Sequence, residues 1–193
     1  DGFGASIQRL GALPDLDIVV APNDPGSLAQ AAERAPSDDS SIRNLIYAAY
    51  SFNYGAILID LPPFADSMWA VQPLLMANVA VIVARPTMHD ALATARGFRF
   101  MTKELAKTLR VPREAMYVVL NFLSPKGNMG PSDFFASTNR SLGDDGPCPP
   151  LMATFPYVSE LPAAQNHGDS PMLAKGCDDF AKPARSLTVK IIG

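Results

Sequence analysis

The segment Tyr54-Gly-Ala-Ile-Leu-Ile-Asp60-Leu-Pro-Pro63 constrains the fold more than any other part of the chain. Its apolar run is short and continuous, the pattern of a strand buried on both faces. The two prolines end it, because proline lacks a ladder donor and restricts the residue before it. Ligands in open α/β sheets bind at the carboxyl ends of such strands, so Asp60 stands where a nucleotide or metal site is expected.

Further apolar runs cover residues 16–21, 79–84, 116–121 and 151–155, each followed by turn residues and most by a helical pattern. Strands alternating with helices predict a doubly wound α/β fold, a mostly parallel sheet with helices on both faces. Behind Ser37-Asp-Asp-Ser-Ser, the residues Ile42, Leu45, Ile46, Ala49 and Tyr50 fall on one helical face. Residues 89–109 predict a long helix with Arg96, Arg99, Lys103, Lys107 and Arg110 on a basic side, closed by Val111-Pro112. Ser132 opens a shorter helix that Gly143 ends, and residues 144–150 read as loop. Helices over 159–166 and 178–187 are expected to be interrupted at Pro162 and Pro183.

The 193 residues, 48% of them hydrophobic, supply the core of one ordinary domain, and a net charge of −3 gives no global basic field for nucleic acid or an anionic membrane. Cys148 and Cys177 are too few for a disulfide framework and lie in no metal-ligand spacing, which suits a reduced, cytoplasmic setting. No apolar run reaches the span of about 18 residues a membrane helix requires. The closing Leu187-Thr-Val-Lys-Ile-Ile192 has too few basic residues for an amphipathic anchor, so direct membrane insertion is not expected. His89 and His167 stand alone and read as surface or capping residues.

Four motifs in order carry a family resemblance. Residues 54–63 resemble the "YDyviiDtPP" segment of the ParA/MinD family of deviant Walker ATPases. Ala77-Asn78-Val79-Ala80-Val81-Ile82-Val83 resembles its "AD.vivv" strand, with Asn78 in place of aspartate, and Val118-Val119-Leu120-Asn121 resembles its "vvlNr" strand. Phe155-Pro156-Tyr157, leading through Ala163-Ala164-Gln165-Asn166-His167-Gly168 to Pro171, resembles "iP.d..v..a...g.pv". The match covers nearly everything from residue 16 onward.

The resemblance implies a P-loop NTPase fold of the SIMIBI, MinD-like kind. It implies ATP and Mg²⁺ as cofactors and a homodimer that sandwiches ATP face to face until slow hydrolysis releases it. Asp60 would be the Walker B carboxylate, catalytic and holding Mg²⁺ through water. Asn121 would face adenine, Pro156 would shape the pocket wall and Tyr157 would offer a stacking surface. Pro62 belongs to the loop after Asp60 that would respond to the γ-phosphate.

The family's KGGxGK[ST] loop and its switch I strand are not found in this sequence, and Lys126-Gly127-Asn128-Met129-Gly130 has its glycines and lysine in the wrong order. By the resemblance, Asp1-Gly-Phe-Gly would be the tail of the switch I motif, and the 193 residues read as most of one ATPase domain. Roughly 40 or more further residues are expected upstream, the length of a strand and its crossover.

Leu61-Pro62-Pro63 with Trp69 is most similar to the TadZ/CpaE branch, which implies positioning of Flp/Tad pilus machinery. The partners would be proteins of that machinery, recruiting the protein to the cell pole or inner membrane. Phe122 where arginine is usual, and Tyr157 where an acidic residue is common, would alter the nucleobase contacts. Two alternatives remain: a partitioning ATPase that binds DNA non-specifically through the helix after Arg85, and a degenerate, non-catalytic scaffold.

Overall fold

The computed structural model describes residues 7–10, 13–19, 40–61, 68–124 and 129–192. The chain divides into two compact units, Asp1–Pro73 and Leu74–Gly193.

In the first unit, β1 (Ile7–Leu10) and β2 (Leu13–Val19) pair antiparallel as a sheet of their own. The connection between Leu10 and Leu13 is far too short for a parallel crossover. This corrects the expected strand at 16–21, which starts earlier and joins no parallel sheet. An apolar run signals burial but not the direction of its partner. The expected helix forms as α1 (Ser40–Ser51), with Ile46 and Ala49 of its apolar face buried but Leu45 and Tyr50 exposed. Asn53 follows it at φ 58°, a left-handed conformation that asparagine tolerates.

The strand expected over 56–60 does not form: residues 56–61 belong to neither ladder nor helix. Tyr54 ties the segment to β2 by donating its hydroxyl to Asp17 Oδ2 at 2.8 Å. Ile57 and Ile59 join Val19, Ile46 and Ala49 around an apolar cavity of about 130 Å³, whereas Leu58 is 79% exposed. The side chains alternate as in an extended chain. A strand, however, needs neighbours for its N–H and C=O groups, and none pairs with this segment among the described residues. α2 (Met68–Met76) spans the boundary between the units in sequence, with Pro73 inside it.

In the second unit, β3 (Ala80–Ala84), β4 (Met116–Leu123) and β5 (Leu151–Pro156) form a parallel sheet in that spatial order, close to the expected strands. The crossovers carry α3 (Met88–Arg99) and α4 (Pro131–Leu142). Both crossovers move the same way across the sheet, so right-handed connection puts both helices on one face. There the Thr138 hydroxyl donates to Phe134 O at 2.9 Å and lies 3.4 Å from Ala91 O of the facing helix. Gly143, at φ 57°, ends α4 as expected.

After β5 come α5 (Leu161–Asn166) and α6 (Asp178–Ile192). The stripe Phe180, Ala184, Leu187 and Ile191 of α6 packs on Val119, Met152 and Phe155. Val119 alternates with Val118 and Leu120, so α6 covers the face opposite the crossover helices. The unit is therefore a three-stranded parallel sheet flanked by helices, of the α/β class.

Three helix expectations need correction. The helix from His89 stops short of Leu109: α3 gives way at Phe100–Glu104 to a π-helical turn in which Leu105 N–H reaches Phe100 O at 3.1 Å. Within it the Thr102 hydroxyl bonds back to Phe98 O at 2.9 Å, competing with the regular ladder. Pro183 does not break α6, because the apolar stripe on either side is anchored to the sheet. Pro162 lies in the first turn of α5, where a missing N–H costs nothing.

Among the described strands, β5 is one of the two edges of this sheet. Val118 N–H bonds Pro150 O at 3.0 Å, whereas Tyr157 N–H bonds Leu123 O at 3.0 Å. The residues facing β4 therefore change from even to odd across the register shift beside Val118 and Val119. That turns Met152 O away from β4, where Lys190 Nζ donates to it at 2.9 Å.

Candidate functional site

In a parallel sheet all carboxyl ends lie together, so the segments after β3, β4 and β5 share one edge of the second unit. At the end of β4 the register runs Leu120↔Thr154, then Leu123↔Pro156. β4 advances three residues while β5 advances two, so Asn121 and Phe122 sit in a bulge, a device that re-aims side chains. Phe122 takes φ 60°, a left-handed conformation that costs a non-glycine residue about 1–2 kcal/mol. Asn121 Oδ1 helps hold it there by accepting from Phe122 N–H at 2.9 Å.

Opposite, the Tyr157 N–H···O=C Leu123 bond fixes the chain leaving β5. Phe155 and Val158 are buried on either side of Tyr157, which is itself 53% exposed. Phe122 is 42% exposed, and the two rings lie 6.4 Å apart between centroids with planes inclined by 38°.

A backbone bond and a helix cap hold described residues of the neighbouring connections. Met129 N–H bonds Pro86 O at 3.2 Å, joining the loop after β4 to the loop after β3. Thr87 caps α3 by accepting from Asp90 N–H at 3.1 Å. Burial pushes the Asp90 carboxyl up, but the backbone N–H and guanidinium of Arg85 outweigh it and hold the group below its ordinary value.

The structure thus brings Asn121, Pro156 and Tyr157 to one edge. Asp60 lies in the first unit, exposed, on backbone that is not a strand. It makes no hydrogen bond or ion pair recorded among the described residues. The strand-end position expected for it is not observed. Asp1, Pro62 and Lys126-Gly127-Asn128 lie outside the described residues. Among the described residues, no group of three or more His, Cys, Asp or Glu side chains is placed to hold a metal ion.

Of the five cations on the expected basic side, two are engaged within the unit. Arg99 Nε pairs with Asp145 Oδ2 at 2.5 Å and Arg99 Nη2 donates to Ser141 O at 2.7 Å, while Lys103 also pairs with Asp145. Hydrogen bonds from Lys103 and then Arg99 hold the Asp145 carboxyl below its ordinary value. Arg96, Lys107 and Arg110 are exposed. Burial pushes the Cys148 thiol up to about 12, which removes it as a nucleophile. His167 caps α5, its ring Nδ1 lying 2.8 Å from Ala163 O.

The position of Phe122 beside Tyr157 is a feature that the sequence does not reveal. Phe122 stood out only as a departure from arginine, because neither the bulge nor the left-handed backbone has a local sequence signature. No described helix is long and apolar enough to cross a membrane. No protein-family profile matches the chain, and no curated protein is similar to it.

Proposed function

We propose that the protein binds ATP at the carboxyl ends of β4 and β5 and acts as a dimerising ATPase of the ParA/MinD type. Its role would be to position a cellular assembly, most like TadZ/CpaE proteins in Flp/Tad pilus localisation. The observation that carries this reading is the Tyr157 N–H to Leu123 O bond, at 3.0 Å. It draws Asn121 and Pro156-Tyr157, which lie far apart in sequence, to one edge of a parallel sheet. These are the residues the resemblance assigns to the base.

In this reading Asp60 serves Mg²⁺-bound water. A second subunit closes over the bound ATP, and pilus proteins recruit the dimer from the cytoplasm to the pole or inner membrane. Calorimetric titration with ATP and Mg²⁺, paired with a phosphate-release assay on wild type and Asp60→Asn, tests it. Saturable binding in both proteins, with release lost in the variant, is expected. Absence of binding would refute it.

A second reading, the non-catalytic scaffold, draws support from the exposed Asp60 on irregular backbone. It expects no phosphate release from either protein and partner recruitment that ignores nucleotide. The DNA-partitioning alternative is weakened by the internal engagement of Arg99 and Lys103. It requires affinity that falls steeply with salt through the remaining Arg96, Lys107 and Arg110.

A further inference from the structure

We propose that Phe122 and Tyr157 form a stacking shelf for a nucleobase, and that Asn121 is a positioning residue that sets Phe122 instead of reading the edge of the base. The inference rests on the nucleotide reading of the same site and specifies how the base is held.

Single exposed aromatics are ordinary on protein surfaces. Here two, 42% and 53% exposed, stand side by side where open α/β sheets bind ligands. Phe122 is kept there against a backbone penalty. Asparagine or glycine would occupy φ 60° more cheaply, and neither would present a ring. Such strain persists where the surroundings over-determine it, typically at ligand clamps. The bulge on one side and the Asn121 Oδ1 bond on the other supply that constraint.

That same bond directs the Asn121 acceptor at its own backbone, away from the amino group of an adenine. With centroids 6.4 Å apart and planes inclined by 38°, the two rings touch each other as a tilted pair, so a base would lie over the exposed side of the pair and not between the rings.

Stacking uses the π-face that every base possesses, so it discriminates weakly between bases. ATP and GTP are therefore expected to bind within about threefold of each other.

The test is calorimetry of ATP, GTP and base-free tripolyphosphate on wild type, Tyr157→Ala, Phe122→Gly and Asn121→Asp, with a thermal melt of each. Loss of either ring should weaken both nucleotides by about fivefold to a hundredfold and leave tripolyphosphate unchanged. Phe122→Gly should keep Tm within about 3 °C of wild type, because glycine relieves the backbone strain as the half-exposed ring is lost. Asn121→Asp retains the acceptor for Phe122 N–H, so the ATP-to-GTP ratio should stay put.

ATP bound more than about tenfold tighter than GTP, with that preference abolished in Asn121→Asp, would make Asn121 an edge reader and overturn the proposal. Nucleotide binding indifferent to Tyr157→Ala would overturn the shelf while leaving the ATP reading intact. No binding of either nucleotide to wild type would overturn both.

Discussion

Replacing Phe180 by alanine probes how the exposed edge is held in place. Phe180 is the point where two apolar clusters meet: it packs on Val119, Met152 and Phe155 of the sheet and on Val158, Leu161, Ala164 and Cys177 after it. Its ring lies 5.0 Å from that of Phe155, inclined by 46°. A fully buried phenylalanine truncated to alanine costs about 3–5 kcal/mol. Phe180 is only partly buried, so the expected loss is about 2–4 kcal/mol, of which about 0.5–1.5 belongs to the aromatic pair. At about 2–4 °C per kcal/mol for a chain of this size, Tm should fall by roughly 4–16 °C.

Urea denaturation of Phe180→Ala, Phe155→Leu and the double variant gives the pair energy directly, with the exposed Arg185→Ala as control. Both anchors of Tyr157, Phe155 and Val158, touch these clusters, so Phe180→Ala should also weaken ATP more than tripolyphosphate. A loss below about 1 kcal/mol, or zero coupling between the two rings, would refute the account of α6 as the clamp on β5.

Stability should fall in acid partly through Asp145, whose folded-state pKa lies below the ordinary 3.8. Its contribution is complete while both states are ionised. It disappears as pH drops from about 4 through the folded pKa, because the unfolded chain takes the proton first. The stability gap between wild type and Asp145→Asn should thus be constant above about pH 5 and close below it, as read from urea melts at each pH. Gly146→Ala should cost about 1–3 kcal/mol. Its φ is 88°, and the new Cβ would meet Arg113 Nη2 at 2.6 Å, displacing bonds to Asp145 O and Pro147 O. The cost should shrink in an Arg113→Ala background. Lys190→Met uncovers Met152 O on the edge strand β5, and is expected to cost about 1 kcal/mol and to raise self-association in nucleotide-free sedimentation. A variant as monodisperse as wild type would show the edge needs no such guard.

What the sequence revealed follows from which signals are local. β3, β4 and β5 were legible because each is a compact apolar run bounded by turn residues, and α1 because its apolar residues repeat at helical spacing. The hairpin of β1 and β2 was missed because Ile7-Gln-Arg-Leu10 has no apolar run to mark it. Residues 56–60 misled for the opposite reason. The run Ile57-Leu58-Ile59 predicts a buried strand, yet burial on both edges needs neighbours, and local pattern does not supply them. Pro183 obeyed packing over propensity, and the π-helical turn at Phe100–Glu104 depends on a hydroxyl whose partner is chosen by geometry. At the candidate site, Asn121 and Tyr157 were named through resemblance, while the bulge and the left-handed backbone of Phe122 needed three dimensions.

The most direct measurement is the change in backbone amide resonances as ATP with Mg²⁺ is added to the isotope-labelled protein. The account predicts that the largest shifts centre on Asn121, Phe122, Leu123 and Tyr157 and that in Tyr157→Ala they need about fivefold to a hundredfold more ATP to reach half-saturation. Shifts confined to residues away from the carboxyl ends of β4 and β5, or no shifts at all, would contradict it.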